Sequence, residues 1–279
     1  VELSSPAKIN LWLRILDRRS DGFHEVETRL CKIGISDTVK LELMGPGKSV
    51  ELTCNIPGIP LDDSNLAIKA VRAFERRLGR TNSWHIHLEK RIPSGAGLGG
   101  GSSNAASILK AANELTGKPL PLSELLEIAG DIGADVPCFL LETGAADGAG
   151  RGERVTPVEF SWKLPLVLIK PAFPIPTPWA YKHWKDSQEL RGVLYAPQHC
   201  PWGHMVNGLE RPVFEKYRLL AALKGWLLEQ KGVQAALMSG SGSTMFAVTK
   251  THADAAALAE AAQLWCGPTA WVKATETLV

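Results

Sequence analysis

Pro93-Ser94-Gly95-Ala96-Gly97-Leu98-Gly99-Gly100-Gly101-Ser102-Ser103 is the stretch on which the reading of this chain turns. It comes after Trp84 to Glu89, whose alternation predicts a strand, and it precedes a run from about Ser102 to Leu115 that predicts a helix. Five of the seven residues from Gly95 to Gly101 are glycine. Backbone of that kind reaches positive φ and lets an anion approach closely. The helix behind it aims unpaired N–H groups and the positive end of its dipole at the same point, and Ser102 and Ser103 add hydroxyls. The physical reading is a phosphate cradle. Gly95, Gly97 and Gly100 also match G-x-G-x-x-G, but a dinucleotide fold wants an acidic residue on a second strand ~20 residues on. Here residues 104–116 continue the helix, and Pro119 and Pro121 interrupt the chain just beyond it. Gly47-Lys48-Ser49 supplies only the tail of a Walker A loop, with Glu42 where its first glycine belongs. A plain flexible turn would not need so many glycines.

Outward from the loop, Lys8 to Leu16 alternates, with Ile9, Leu11, Leu13 and Ile15 on one face and Lys8, Asn10, Trp12 and Arg14 on the other. That pattern predicts a half-buried strand. Further strands are predicted at 28–35, 38–43 and 50–54. Asn65 is placed as the N-cap of a helix carrying Leu66, Ala70, Val71, Phe74 and Leu78 at helical spacing, with Gly79 as its stop. Helices are expected over 122–132 and, briefly, from Asp135, and residues 144–152 read as a loop or short strand. Beyond a boundary near Glu159, strands at 164–169, 235–239, 245–248 and 270–274 and helices at 217–230 and 253–264 come in the order β-α-β-β-α-β, the split ferredoxin-like pattern. Pro171, Pro174, Pro176 and Pro178 stiffen the connection into a helix near 179–184. The chain is thus read as α+β, with domains at 1–158 and 159–279.

Composition narrows the function. Of 279 residues, 45% are hydrophobic, 22% charged and 7% aromatic, which is ordinary globular usage. The formal net charge of +2 argues against a nucleic-acid protein acting through bulk charge. No apolar run approaches the ~20 residues of a membrane span, and no signal peptide is visible. Cys31, Cys54, Cys138, Cys200 and Cys266 are scattered and odd in number, which fits a reducing, cytoplasmic setting and indicates neither disulfides nor zinc.

The loop resembles the phosphate loop of the galactokinase, homoserine kinase, mevalonate kinase and phosphomevalonate kinase superfamily, the GHMP kinases. Other segments agree in order: Pro6-Ala7-Lys8-Ile9-Asn10-Leu11, Arg19-Ser20-Asp21-Gly22-Phe23-His24, Asn65-Leu66, Gly133-Ala134-Asp135-Val136-Pro137, Gly150-Arg151-Gly152-Glu153, Pro176-Thr177-Pro178 with Tyr181, and Met238-Ser239-Gly240-Ser241-Gly242-Ser243. The added glycines and Asn104 are similar to the branch that phosphorylates a CDP-linked methylerythritol in the non-mevalonate route to isoprenoid precursors. Two features depart from that pattern. Phe23 stands where many members carry Tyr, and residues 195–202 have no clear counterpart.

The resemblance implies an ATP-dependent kinase, with Mg²⁺ as the partner of ATP, acting on the C2 hydroxyl of that small molecule. Its fold would join a ribosomal-protein-S5-like N-terminal domain to a ferredoxin-like C-terminal one. By position Asp135 is a helix N-cap; the resemblance makes it the general base, with Lys8 beside it. Asn10 would orient the substrate hydroxyl. Phe23 and Tyr181 would sandwich the cytosine, with His24, Thr177 and Pro178 in the same pocket. ATP would lie on Asn65, Pro93, Ser94, Gly95, Ala96, Gly97, Leu98, Gly99, Gly100, Gly101, Ser102 and Ser103, closed by Gly240, Ser241 and Gly242. No carboxylate cage for a metal is evident, and Ser103 and Glu153 are the only candidate ligands. Membrane and nucleic-acid partners are not expected, and the chain is read as a monomer or weak homodimer. Another GHMP kinase, such as homoserine kinase, and a non-catalytic nucleotide binder on the same fold remain as alternatives. The pairing of Lys8 with Asp135 weighs against the binder, which needs no base.

Overall fold

The computed structural model describes residues 1–279. In chain order the first half holds β1 (Glu2–Arg18), β2 (His24–Pro46), β3 (Val50–Cys54), α1 (Leu66–Leu78), β4 (Asn82–Glu89), α2 (Gly100–Leu115), α3 (Leu122–Ile132), α4 (Val136–Leu140), β5 (Ala145–Ala149) and β6 (Arg154–Val158). The second half holds β7 (Pro165–Lys170), α5 (Thr177–Lys182), β8 (Gln198–Cys200), β9 (Gly203–Asn207), α6 (Glu210–Lys216), α7 (Arg218–Glu229), β10 (Val233–Met238), β11 (Met245–Thr249), α8 (His252–Cys266) and β12 (Trp271–Glu276).

Two sheets form the middle of the molecule. The larger runs β3-β4-β2-β1-β9-β8, with β5 and β6 attached beside β2, and the smaller runs β10-β11-β7-β12. Every pair in the smaller sheet is antiparallel, as a ferredoxin-like order requires. Strand parity decides the layers. Ala7, Ile9 and Leu11 face Leu166, Leu168, Leu237 and Phe246 in a core between the sheets. Val167, Ile169, Ala236 and Met245 point the opposite way, onto α7 and α8. β7 is therefore buried on both faces, which is why 166–169 reads as an unbroken apolar run. On the far side of the larger sheet, Leu41, Ile86 and Leu88 pack against α1, α2 and α3 through Phe74, Ile108 and Ile128.

Several expectations are corrected. The strands expected at 28–35 and 38–43 are one strand, β2; the break between them is a bulge, where the register with β1 jumps from Ser36 opposite Pro6 to Ile33 opposite Ala7. β6, β8, β9 and α6 have no counterpart among the expected elements. Residues 198–207 return to the larger sheet, with Leu13 beside Asn207 in parallel pairing. The Lys8 and Asn10 face of β1, read as half-exposed, is buried, each residue being 3% exposed. Its cover is the glycine loop, tied down where the Lys8 N–H donates to Leu98 O at 2.9 Å.

Candidate active site

The glycine loop lies over β1 and ends at Gly99, the N-cap of α2. Gly99 has φ +69° and makes no side-chain cap bond, which leaves the first-turn N–H groups of α2 for a ligand. A Cβ at Gly99 would stand 3.0 Å from both Lys8 Cγ and Phe139 Cζ, so only glycine lets the loop lie this close to Lys8. At Gly97, with φ +75°, a Cβ would fall 2.2 Å from Ser239 O. That second constraint comes from the other half of the chain, because Ser239 Oγ donates to Gly97 O at 2.9 Å and Thr244 N–H to Ala96 O at 3.2 Å. The two glycine segments thus meet face to face.

Under the loop, Lys8 Nζ donates to Asn10 Oδ1 at 2.6 Å and stands 3.2 Å from Asp135 Oδ2. Asn10 Nδ2 in turn donates to Thr28 Oγ1 at 2.8 Å, which fixes the amide with its oxygen toward Lys8. Asp135 is the residue before α4, yet its side chain makes no capping bond. Its carboxylate, about a third exposed, is free toward the cleft on one side and held by an ammonium on the other. An ionised carboxylate beside a fixed cation, with open space ahead of it, can accept a proton from an incoming hydroxyl.

A second cation, marked by no sequence motif, lies beneath the loop. Lys90, 8% exposed, is bonded to Asp37 and to Asn104 Oδ1 at 2.9 Å, and a Cβ at Gly100 would come within 3.3 Å of its Nζ. Asp37 also accepts from the N–H groups of Arg91 and Ile92 at 2.7 and 2.9 Å. In the sequence Asp37 looks like a break between strands; nothing local signals that it is buried under Lys90.

At the far end of the cleft Phe23 sits on a turn, 54% exposed, with the Arg151 guanidinium 5.1 Å over its ring. The His24 ring lies 5.4 Å from that of Tyr181 and 6.0 Å, edge-on, from Trp184, a residue that no motif marks. Burial and the Asp135 charge push the Tyr181 phenol above its ordinary range, so it stays neutral. Burial, then Arg18, holds the His24 imidazole below its ordinary value. Thr177 Oγ1 lies 2.8 Å from Ser241 Oγ, joining α5 to the second glycine segment.

Lys8, Asn10, Asp135, Lys90, Phe23, His24, Tyr181, Thr177 and the glycine loop line one cleft of about 1580 Å³, which also takes in Asn65, Pro93, Ser94, Ser102, Pro178, Gly240 and Ser241. Drug-sized ligands fill roughly 300–1,000 Å³, so there is space for two. A separate groove of about 1000 Å³ along α1 is lined by Arg72, Arg76, Arg77 and Arg80 and has no glycine loop. Four expected site residues are differently employed. Ser103 is fully buried, its hydroxyl accepting from Ser5 Oγ at 2.8 Å and its N–H donating to Gly99 O. The Gly242 N–H donates to Ser239 O, and a Cβ there would meet Met238 and Ile175, away from the cleft. Asn65 does cap α1, through Ala67 N–H at 3.0 Å, and its amide donates to Pro60 O, so it forms cleft wall with its polar atoms used. Glu153 accepts from the Arg151 N–H at 2.7 Å and is not on the cleft wall. No group of three or more His, Cys, Asp or Glu side chains that could hold a metal is present.

Fold and cleft together define a GHMP kinase. The GHMP kinases N terminal domain matches residues 65–143 and the GHMP kinases C terminal domain residues 199–266. ATP-dependent transfer to a small molecule is the chemistry of that class. Within it, the chain is 39% identical over 277 residues to the 4-diphosphocytidyl-2-C-methyl-D-erythritol kinase of Methylacidiphilum infernorum, covering 98% of this chain and 96% of that one. It is 40% identical over 251 residues to the protein of the same name from Protochlamydia amoebophila, covering 89% and 84%. A crystal structure of 4-(cytidine 5'-diphospho)-2C-methyl-D-erythritol kinase superposes with TM-score 0.79 at 33% identity over the whole of both chains. Homoserine kinase from Cytophaga hutchinsonii, at 18% identity and TM-score 0.69 over 100% and 94% of the chains, shares the fold. The chain belongs to the 4-diphosphocytidyl-2-C-methyl-D-erythritol kinase family.

Proposed function

We propose that this chain transfers the γ-phosphoryl group of ATP to the C2 hydroxyl of 4-diphosphocytidyl-2-C-methyl-D-erythritol, with Asp135 as base. The observation that carries the roles is the Lys8–Asp135 pair at 3.2 Å, buried on the lysine side and open on the carboxylate side, under the glycine loop. As the hydroxyl oxygen bonds to the γ-phosphorus, its proton passes to an Asp135 oxygen. The bond from that phosphorus to the β,γ-bridging oxygen breaks, and ADP leaves. Lys8, 3.2 Å from Asp135, stabilises negative charge on the attacking oxygen. The first turn of α2, with Ser102, and Lys90 beside it would receive the phosphates. Phe23 and Tyr181 would hold the cytosine between rings from opposite halves of the chain, with His24 selecting it by polar contact, Asn10 orienting the hydroxyl, and Thr177 and Pro178 shaping the wall.

The donors suit a Mg²⁺ that arrives on the phosphates of ATP, because no acidic cage is present and Ser102 offers a hydroxyl on the cleft wall. Bound there, Mg²⁺ supplies neutralisation of charge on the β- and γ-oxygens. A boundary near Glu159 divides the nucleotide-holding half from the ferredoxin-like half, with residues 198–207 crossing back. Five free cysteines suit a reducing compartment, the cytoplasm. The test is ADP release by the purified protein, with ATP and Mg²⁺, in the presence and absence of the CDP-linked alcohol. Acceptor-dependent ADP, with one phosphate added to the acceptor, is expected. Release that ignores this acceptor but responds to homoserine would overturn the substrate.

A further inference from the structure

The second glycine segment is tied to the first through Ser239 and Thr244 and to α5 through Ser241, and a further tie reaches it from the β10 side. It comes directly after β10, and β10 is the edge strand of the smaller sheet. An edge strand leaves alternate N–H and C=O groups unpaired. Here those groups are met by side chains. Gln198 pairs with Ala236 as another strand would, its Nε2 donating to Ala236 O at 2.8 Å and its Oε1 accepting from Ala236 N–H at 3.1 Å. Two residues on, Glu210 Oε1 accepts from Met238 N–H at 2.9 Å, and Asn207 Nδ2 donates to Met238 O at 2.7 Å. The same Asn207 nitrogen then reaches into the segment itself and donates to Gly240 O at 2.8 Å.

Asn207 is unusual in where it stands. It is 3% exposed, at the end of β9, opposite Leu13 of β1. Its Oδ1 accepts from Leu209 N–H at 2.9 Å, so the amide has one orientation: both hydrogens face carbonyls, and the oxygen faces a donor. Glu210, beside it, is 1% exposed and neutralised by Lys224 at 2.5 Å, which also donates to Leu194 O at 2.6 Å. The clamp is therefore anchored in the interior. Gly240 lies at the other end of this linkage. A Cβ there would stand 3.3 Å from Lys8 Nζ and 3.4 Å from Asn10 Oδ1.

We infer that Asn207 is a positioning residue: it fixes the Ser239–Ser243 segment over the Lys8–Asp135 pair, so that β1 and the cover above it move as one body. This rests on the phosphoryl-transfer reading for its kinetic consequence, though not for its structural one. Transfer through a loose transition state depends mostly on placement, and a misplacement of about 1 Å can cost about 10²-fold. Asn207 is not on the cleft wall and acts through Met238 and Gly240.

The test compares Asn207→Asp, which keeps the shape but turns one oxygen toward two carbonyls, with Gln198→Ala, which removes a grip on the same edge strand but not on the glycine segment. For Asn207→Asp we expect kcat to fall at least tenfold, with the KM for the cytidine substrate changed by less than threefold. Faster amide hydrogen exchange at residues 239–243 should accompany that loss. Gln198→Ala should keep kcat within twofold and leave exchange at those amides unchanged, even if its Tm is lower. If Asn207→Asp does not fold, Asn207→Ser, which retains one donor, is expected to show the same two changes to a smaller degree. Wild-type kcat and exchange in a folded Asn207 variant, or an equal kcat loss in Gln198→Ala, would overturn the inference. If the wild-type protein does not phosphorylate the cytidine substrate, the function reading fails by itself and the exchange comparison still decides the role of Asn207.

Discussion

Replacing Asp135 by Asn separates two accounts of this site. If the carboxylate takes the hydroxyl proton, its loss should lower turnover by roughly 10²–10⁴-fold, or about 2.7–5.4 kcal/mol of barrier. If placement alone drives transfer, an isosteric amide should cost little, since a loose phosphoryl transition state asks little of a base. The effect on stability can be bounded from the contacts. A lost N-cap would cost ~1 kcal/mol, but Asp135 makes no capping bond, so none is lost. Breaking a fully buried ion pair costs about 3–5 kcal/mol and an exposed one at most ~1 kcal/mol. Lys8 is 3% exposed and Asp135 34%, and the ammonium keeps its 2.6 Å bond to Asn10 when the carboxylate is gone. The expected loss is about 1–2 kcal/mol, or a Tm lower by about 2–6 °C. The assay is ADP release at saturating ATP and acceptor, beside a melting curve at the same pH. A folded Asp135→Asn protein that turns over within threefold of wild type would refute Asp135 as the base.

Four further outcomes are expected. Tyr181→Ala should weaken the cytidine substrate by about 5- to 150-fold, from ~1–3 kcal/mol for a base stack, and leave ATP affinity unchanged by calorimetry. CMP and CDP should compete with the substrate in the wild type, and if they never do, the aromatic pair is packing. Gly99→Val should lose ATP affinity by at least ~10-fold while cytidine affinity persists, because its branched side chain would strike Lys8 and Phe139; unchanged ATP binding would remove the loop from the phosphate site. Burial pushes the Cys31 and Cys138 thiols up to about 12, so at pH 8 only about 10⁻⁴ of each is thiolate. A disulfide reagent should then label no more than Cys54, Cys200 and Cys266 until the protein is unfolded, as a thiol count by mass would check.

The legible parts of the chain are those that their own neighbours determine. α1 announces itself through Asn65, the apolar spacing to Leu78 and Gly79, and all three behave as read, down to the left-handed φ of +65° at Gly79. The glycine loop is legible because close backbone approach leaves glycine little competition. The hidden parts are determined from far away. Lys8 and Asn10 carry the pattern of a solvated strand face, and only a loop some 90 residues later in the chain turns that face inward. The bulge in β2 and the burial of Asp37 under Lys90 have the same origin: a polar residue inside a strand looks like an interruption until its partner is in view.

Residues 183–210 show why spacing alone fails. β8 and β9 are short, and β9 meets β1 at only two paired positions. No alternation of useful length exists, because β8 and β9 pair over only three positions with each other and β9 over two with β1. The segment's link to the smaller sheet is made by single side chains, Gln198 and Asn207, that take the place of the neighbour β10 lacks. Such a residue carries no periodic signal; its meaning lies in which carbonyl it reaches. Phe23 is a parallel case at the other end of the cleft. As a departure from a tyrosine pattern it looks like a loss, yet Arg151, anchored by its bond to Gly130 O at 3.2 Å, lies over one face of the ring. A cation–π contact at an exposed site contributes ~0.5–1 kcal/mol, comparable to the net worth of the single neutral hydrogen bond that a phenol could have added. The ring can therefore be held by a contact across the cleft wall, without the hydroxyl, and stacking needs only its other face.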